Sequence, residues 1–270
     1  MPAPATTLDV NATEALHRLS EARATRRPCA PVRALLPAGD LDAAYAVQSA
    51  WISGQQAAGA WIVGRKIGLT NPVVQRQLGV DQPDFGVLLD TMECRDGAPI
   101  EIARTLQPKI EAEIAFVLAR DLTAAVIGPA EVAAATAYVV AALEIVDSRI
   151  AEWDIDIVDS VADNASSGLF VLGDRHVDVS DLDLPACRMT LLRAGEVVST
   201  GSGADCLGDP LNALAWLATT ARDRGRPLRG GEIVLSGALG PMVPVAPGDG
   251  FHARISGVGE VTASFTGGAS

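Results

Sequence analysis

The sequence predicts an α+β fold in which a small helical N-terminal portion precedes a mixed β-roll or barrel. Three observations support this fold class. Apolar residues recur at helical spacing mainly within the first 60 of the 270 residues. Strand-like runs then dominate, and turns such as RAGE and APGDG join some of them as in hairpins. Long helices are too few for a doubly wound parallel sheet. We therefore divide the chain into a helical portion, 1–60, and a β-roll domain, 61–270.

Two helices are predicted in the N-terminal portion. The first covers about 11–24, where apolar residues are spaced for one helix face, with Asn11 or Thr13 as its N-cap. The second covers 41–58 and has Asp40 as its N-cap, since a carboxylate at this position accepts hydrogen bonds from free backbone N–H groups. The Pro-rich segment between them is expected to be an extended connector.

Strands prevail after residue 59. AWIVGRKIGLT predicts the first strand, and NPVVQRQLGV, residues 71–80, predicts a short helix opened by Asn71 and Pro72. Two further helices are predicted over 131–140 and 210–223. The other predicted strands cover 86–89, 110–118, 188–193, 196–200, 232–236, 250–255 and 259–265.

Composition excludes several classes of partner. The chain has 33 acidic and 21 basic residues and a net charge of -12, which argues against binding to nucleic acid or to an anionic membrane surface. The apolar runs are too short or too interrupted for a membrane span, and the N-terminus lacks the apolar core of a signal peptide. The scattered cysteines predict free thiols in a reducing cytoplasm rather than a zinc site or disulfides. These are Cys29, Cys94, Cys187 and Cys206.

The stretch LQPKIEAEIAFVLARDL places two glutamates in an apolar run. In a strand, Glu111 and Glu113 point to the same face, about 7 Å apart. One interpretation is an edge strand with a wetted face. However, positions 115 and 117 on that face are apolar, which favours a partly dry pocket. A hard cation such as Mg²⁺ or Mn²⁺, which prefers oxygen ligands, fits such a pocket.

Other polar residues in apolar surroundings are not assigned one role by the sequence alone. Glu144 follows an apolar run and could be a third metal ligand, with Asp147 as a competitor, but either acid could instead pair with Arg149. Lys66 could be an exposed edge-strand charge, a desolvated base or a clamp for an anionic substrate. Asp84 could be a turn residue that bonds its own backbone.

Two other chemistries are disfavoured. A nucleophilic serine in VADNASSGLF needs a histidine base, but His17, His176 and His252 are scattered, so a Ser–His hydrolase is not expected. GSGADCLG, residues 201–208, only approximates the dinucleotide fingerprint, because Cys206 stands at the third glycine position.

Five segments resemble, in order, those of the 2-keto-4-pentenoate (2-hydroxypenta-2,4-dienoate) hydratases of the fumarylacetoacetate hydrolase superfamily. The resemblance covers about 12–266. It implies the superfamily's mixed β-roll, usually in a homo-oligomer. The segments are GRKIGLTNPVVQRQLGVDQPDFGVL, QPKIEAEIAFVL, ALEIVDSRI, VADNASSG and LSGALGPMVPVAPGD.

The resemblance also implies a set of site residues. It leaves the role of Asp147 open. Mg²⁺ or Mn²⁺ would be held by Glu111, Glu113 and Glu144. The implied catalytic residues are Lys66, Asp84 and Ser166, and the implied substrate-binding residues are Leu69, Ser236, Gly237 and Ala238.

The implied reaction is hydration of 2-hydroxypenta-2,4-dienoate to 4-hydroxy-2-oxopentanoate during catabolism of aromatic compounds by meta-cleavage. Association with a downstream aldolase or a sister decarboxylase is also implied. The alternatives are a 4-oxalocrotonate decarboxylase and a hydratase of a longer diacid, which would need an extra cation from Arg65, Arg76 or Arg149. A non-catalytic member is disfavoured, because the metal ligands and Lys66 are all present, and a C–C hydrolase is disfavoured because its His–Glu pair is not evident.

Overall fold

The computed structural model describes residues 8–71, 75 and 82–267. Its first two helices confirm the helical start of the chain. α1 spans Val10–Thr25 and α2 spans Leu41–Ala57, with Asp40 as the cap of α2 as predicted. The predicted cap of α1 is wrong: Asp9 accepts a hydrogen bond from the backbone N–H of Ala12, so the helix begins before Asn11. Nothing in the described ranges tests the division at residue 60.

The predicted helix over 131–140 is only half right. Helix α3 spans Pro129–Ala135, and the chain then continues as a strand, Thr136–Asp147. Residues 139–147 of this strand are all buried. A strand buried on both faces has no alternation of polar and apolar residues, so its sequence pattern cannot be distinguished from that of a buried helix.

The larger sheet has eight strands and is mixed. It follows the order β2-β1-β10-β5-β6-β7-β3, and β11 pairs with β5. β1 and β10 are parallel, whereas β5, β6 and β7 form antiparallel neighbours at the centre. Its strands are β1 Ile62–Gly68, β2 Asp84–Leu89, β3 Glu93–Arg95, β5 Pro108–Leu118, β6 Thr136–Asp147, β7 Ser167–Leu172, β10 Ile233–Leu235 and β11 Val243–Pro244.

A second sheet of five strands completes the mixed β-fold that the sequence predicts. Its order is β4-β13-β12-β8-β9. Two more helices, α4 Ile157–Ala162 and α5 Pro210–Asp223, connect strands, and the second one confirms a predicted helix. The strands are β4 Pro99–Ile100, β8 Arg188–Arg193, β9 Glu196–Ser202, β12 Gly250–Ile255 and β13 Gly259–Phe265.

One predicted helix lies almost entirely outside the described residues. Apart from Asn71 and Gln75, the predicted helix over 71–80 lies outside the described residues, and so does Arg76. In the described part of the chain, no helix combines the length and apolar character needed to cross a bilayer.

Candidate active site

The three predicted metal ligands lie together on the two central strands of the larger sheet. Glu111 on β5 is directly opposite Glu144 on β6, and Glu113 follows on the same face of β5. One carboxylate oxygen from each of the three lies within 4.8 Å of the other two. Residues that are far apart in the sequence thus form one cluster, and the antiparallel register accounts for it.

The cluster is buried, and several of its oxygens have no hydrogen-bond donor. Glu113 and Glu144 are 0% exposed, yet Glu113 Oε1 and both oxygens of Glu144 lack a hydrogen bond. The other oxygen of Glu113 accepts from the backbone N–H of Gly237 at 2.8 Å. Buried polar atoms are rarely left unpaired in proteins. Oxygen atoms of three converging carboxylates suit Mg²⁺ or Mn²⁺, so the donor set fits a hard divalent cation.

The protonation of these acids reflects the cost of burying them. Burial raises the pKa of Glu144 to about 7, although Lys66 opposes the shift. Burial and the neighbouring carboxylates raise the pKa of Glu113 well above its ordinary value. Burial also raises the pKa of Glu111. A cation in the cluster would remove this cost by balancing the negative charge.

Lys66 on β1 supplies a positive charge beside the cluster. Its Nζ lies 3.3 Å from Glu144 Oε1, within ion-pair distance, although the geometry is not that of a hydrogen bond. Burial lowers the pKa of Lys66, but the carboxylates around it, led by Glu144 and Asp84, outweigh burial and leave the pKa raised. The side chain is therefore an ammonium at neutral pH and is not the exposed edge-strand charge that the sequence allowed.

Asp84 begins β2 and lies at the other side of Lys66. Its Oδ2 accepts a hydrogen bond from the Ser160 hydroxyl on α4 at 2.6 Å, and burial raises the pKa of its carboxyl group. Gly68 is necessary here, because a Cβ at this position would overlap Asp84 Oδ1. The paired β1 and β2 strands thus bring an ammonium and a carboxyl group of raised pKa together.

A cavity of about 270 Å³ opens onto these groups. Lys66, Asp84 and Glu111 are among the residues that line it. Most of its other lining side chains are apolar. The polar ones include Lys109, Ser160 and Ser166. The larger apolar members of the lining are Leu69, Val146, Trp153, Ile155 and Met242.

The predicted catalytic and substrate-binding residues divide between the cavity and the layer behind it. Ser166, Leu69 and Ala238 line the cavity. Ser236 and Gly237 do not: Ser236 is fully buried, and the N–H of Gly237 is engaged by Glu113. Their role in binding a substrate stays a prediction.

Comparison with known proteins identifies the family to which the chain belongs. Residues 68–266 match the model of the fumarylacetoacetate (FAA) hydrolase C-terminal family. The chain belongs to this family. The carboxylate cluster lies within the matched residues, and so does the cavity lining except for Lys66 and Ile67, which lie just before them.

Relatives with high identity cover nearly the whole chain. A 2-keto-4-pentenoate hydratase of Burkholderia vietnamiensis is 56% identical over 249 residues, which is 92% of this chain and 95% of the relative. A 2-hydroxyhexa-2,4-dienoate hydratase of Comamonas testosteroni is 43% identical over 92% of this chain and 95% of its own. Among solved structures, the 4-oxalocrotonate decarboxylase of Pseudomonas putida G7, complexed with magnesium and adipate, aligns with a TM-score of 0.89 at 33% identity, covering 96% of this chain and 100% of that one.

Sequence reasoning missed several residues that line the cavity, among them Lys109, Trp153 and Ser160. Lys109 shares the face of β5 with Glu111 and Glu113, so the two-residue period could have identified it. Its Nζ lies 4.2 Å from the centre of the Trp153 ring. Neither Trp153 nor Ser160 has a signal of this kind, since both reach the cavity through long-range packing.

Two of the three arginines that the sequence offered as extra cations, Arg65 and Arg149, do not line the cavity, and the third, Arg76, lies outside the described residues. Arg65 bonds the backbone of Gly64 and lies 3.6 Å from Glu232. Arg149 is buried against Asp163. The expectation of isolated histidines also needs correction, since His252 lies 2.8 Å from Glu260, but this pair is on the five-stranded sheet and away from the cavity.

Asp147, whose role the sequence left open, is not part of the carboxylate cluster. Its side chain accepts hydrogen bonds from the backbone N–H groups of Leu106, at 3.0 Å, and Gln107, at 2.7 Å. It therefore fixes the chain just before β5. Arg149, its predicted partner, is 3.9 Å away.

Proposed function

We propose that the protein is a metal-dependent hydro-lyase that adds water to 2-hydroxypenta-2,4-dienoate and forms 4-hydroxy-2-oxopentanoate. The observation that carries this proposal is the buried cluster of three glutamates. Two of them, Glu113 and Glu144, have unpaired oxygens, and the third, Glu111, lines one cavity together with Lys66 and Asp84. Relatives named 2-keto-4-pentenoate hydratase, 53–56% identical over more than nine-tenths of the chain, support the same reaction.

Glu111, Glu113 and Glu144 would hold Mg²⁺ or Mn²⁺. When bound, such a cation supplies Lewis-acid stabilisation of negative charge on a substrate oxygen. The magnesium in the related decarboxylase supports a divalent ion in this fold. For this acidic chain, a cation is also the most direct way to receive an anionic substrate.

Lys66 and Asp84 have properties that suit different tasks. Lys66 stays protonated because carboxylates surround it, so it would hold a developing oxyanion by charge. Asp84 has a pKa raised by burial, so it would exchange a proton with the substrate during the reaction. Ser160 donates to Asp84 Oδ2 and thereby fixes the carboxyl group.

The reaction requires three events at carbon. The dienol is protonated at C5 as its enol proton is lost, water adds at C4, and a proton is added at C3. Asp84 would exchange these protons. Ser166 Oγ, which is buried and has no hydrogen-bond partner, would orient the substrate or the attacking water. The apolar wall of Leu69, Trp153 and Ile155 suits the hydrocarbon end of the substrate.

One observation favours a second candidate, 4-oxalocrotonate decarboxylation or hydration of a longer diacid. Lys109 lines the cavity, and no carboxylate of the described residues lies within ion-pair distance of its ammonium. Such a cation could receive a second carboxylate at the far end of the substrate. The solved decarboxylase, with its bound adipate, shares the fold over the whole of its chain.

The experiment that tests the proposal is a coupled assay. The dienoate is generated in situ, the loss of its ultraviolet absorbance is followed with Mg²⁺, Mn²⁺ or EDTA, and the product is identified by mass spectrometry. Metal-dependent formation of 4-hydroxy-2-oxopentanoate supports the hydratase. Release of CO₂ from 4-oxalocrotonate without turnover of the dienoate supports the decarboxylase instead.

We also propose that the protein is a cytoplasmic homo-oligomer that associates with a downstream aldolase or a sister decarboxylase. The basis is the resemblance to the hydratase family together with free cysteines, of which three are buried and one is half-buried. Light scattering after size-exclusion chromatography, with and without the aldolase, tests the assembly. A monomer that does not shift with the aldolase would contradict it.

A further inference from the structure

We infer that Arg149 is a positioning residue that holds a left-handed backbone turn, 164–166, and thereby aims Ser166 into the cavity. This inference rests on the proposed function, because it concerns the same reaction. It assigns a role to the buried Arg149, for which the sequence predicted no more than an ion pair with a nearby acid or a cation for a longer substrate.

The turn has a backbone conformation that its residues disfavour. Asn164, Ala165 and Ser166 have φ values of 57°, 51° and 51°, so three successive residues other than glycine are in the left-handed region. In this region the Cβ of an L-residue crowds the backbone, and only glycine and, to a lesser degree, asparagine adopt it readily. Such a segment persists only when its surroundings hold it.

Arg149 forms hydrogen bonds with the backbone on both sides of this turn. Its Nη2 donates to the carbonyl of Asp163 at 2.7 Å, before the turn, and its Nη1 donates to the carbonyl of Ser167 at 2.8 Å, after it. Its Nε and backbone N–H also donate to the two carboxylate oxygens of Asp163. The planar guanidinium has five donors in a fixed geometry, so it can set the distance between the two ends of the turn.

A second anchor, the side chain of Asn164, fixes the start of the turn. The side chain of Asn164 accepts from the backbone N–H of Val87 at 2.8 Å and donates to its carbonyl at 2.9 Å, as a neighbouring strand would. The carbonyl of Ser166 accepts from the N–H of Asp147 at 2.8 Å. The backbone of the turn is therefore tied on several sides.

The group that this turn presents is free. Ser166 Oγ is buried, lines the cavity and has no hydrogen-bond partner. Arg149 does not line the cavity, and it is 1% exposed. An effect of Arg149 on the reaction must therefore pass through the residues that it holds, and Ser166 is the polar side chain at the end of that path.

The test combines substitutions. Arg149→Lys keeps the charge but loses the forked geometry, and we expect kcat to fall about 100-fold, the cost of misplacing a reacting group by about 1 Å. KM should change less than about threefold and the Kd for Mn²⁺ should be unchanged, because the glutamate cluster is untouched. Ser166→Ala should lose a similar factor, and the double variant should be no worse than either single variant.

A rescue distinguishes positioning from general stability. Ala165→Gly makes the left-handed turn easier, so added to Arg149→Lys it should recover at least about tenfold in kcat. Ala194→Gly is the matched control, since Ala194 has a φ of 50° in an exposed hairpin turn far from the cavity. It should raise Tm by a similar amount, about 2 °C, without recovering activity.

The inference is overturned if the losses in Arg149→Lys and Ser166→Ala multiply, or if both glycine variants restore activity equally. If Arg149→Lys does not fold, Asn164→Ala releases the second anchor and is judged by the same two criteria. Full activity in Ser166→Ala would overturn the inference and leave the hydratase standing. A wild-type protein that turns over no dienoate would instead refute the proposed function.

Discussion

Two buried charged clusters each include an acid of β6, Glu144 in one and Asp147 in the other, and they differ in how their charges are satisfied. In the cluster of Asp147, Arg149 and Asp163, backbone N–H groups or the guanidinium meet the carboxylates. In the cluster of Glu111, Glu113 and Glu144, three of the oxygens have no donor. The carboxylates of the first cluster are met within the chain, whereas the second has the unpaired oxygens of a candidate metal site.

This difference shows how burial alone misleads. Both clusters are almost fully buried, and both would look alike in a list of buried acids. A satisfied buried ion pair is neutral or modest in its effect on stability, but breaking it is costly. Unsatisfied carboxylates lower the stability of the metal-free protein and are retained for a function. Substitutions in the two clusters should therefore have opposite consequences.

The largest effect is expected at the unsatisfied cluster. Glu113→Gln should reduce kcat/KM about 1000-fold or more, because a proposed ligand of the cation and its charge are lost. The Tm of the metal-free protein should rise, because a buried carboxylate that costs free energy is removed. Kinetics on the dienoate and calorimetry on EDTA-treated protein measure the two quantities. A fall in the metal-free Tm would contradict the comparison.

The opposite result is expected at the satisfied cluster. Asp163→Asn leaves the guanidinium of Arg149 with the more distant carboxylate of Asp147, at 3.9 Å, and it should cost about 3–5 kcal/mol in the free energy of unfolding. Thermal or urea unfolding measures this loss. Asp121→Asn is the control, since the Asp121–Arg229 pair is exposed on both sides and its loss should leave the free energy of unfolding nearly unchanged. Equal losses in the two variants would remove the distinction between the clusters.

A pH titration should sharpen the comparison. The folded-state pKa of Glu144 is raised to about 7, and those of Glu111 and Glu113 are also raised. Between about pH 4.5 and pH 7 the folded state keeps protons that the unfolded state has released, so the stability of the metal-free protein should fall as pH rises through this window.

Excess Mg²⁺ should abolish or reverse this slope, because the cation binds the deprotonated acids. We expect the metal-free Tm to drop by about 5 °C across the window and the drop to shrink in Glu113→Gln. Thermal unfolding at several pH values, with Mg²⁺ or EDTA, provides the measurement. A metal-free Tm that rises over the same range would be incompatible with these pKa shifts.

The smallest effect is expected at the apolar wall of the cavity. The indole N–H of Trp153 donates to the carbonyl of Gln107 at 3.0 Å, and Lys109 lies over the ring. Trp153→Phe removes this hydrogen bond, worth about 1 kcal/mol, and should raise KM about fivefold with little change in kcat. Trp61→Phe, at an exposed position outside the cavity, is the control. A large loss in kcat would mean that Trp153 acts in the chemistry.

The sequence predicts the site better than it predicts the elements around it. The two-residue spacing of Glu111 and Glu113 places them on one face of a strand, and the family resemblance supplies Glu144, Lys66 and Asp84. The register of β5 against β6 is not readable from one sequence, because it depends on long-range pairing. For the same reason the contact of Ser160 with Asp84 could not be foreseen.

The misassigned helix over 131–140 has a different cause. The Ala-rich residues up to Ala135 favour a helix. The adjacent Val139 and Val140 that follow belong instead to a strand that is buried on both faces. The prediction of the N-cap of α1 was wrong for a local reason. Asp9, Asn11 and Thr13 are all suitable cap residues, and only the backbone conformation decides among them.

The most direct test is a titration of metal-free protein with Mn²⁺ by calorimetry, for wild type, Glu113→Gln and Asp147→Asn. Asp147 is the matched acid, since it is buried on the same strand as Glu144 but is satisfied by backbone N–H groups. The comparison predicts one Mn²⁺ per chain in wild type and in folded Asp147→Asn, and none at comparable affinity in Glu113→Gln. Unchanged Mn²⁺ binding in Glu113→Gln would contradict the assignment of the unsatisfied cluster as the metal site.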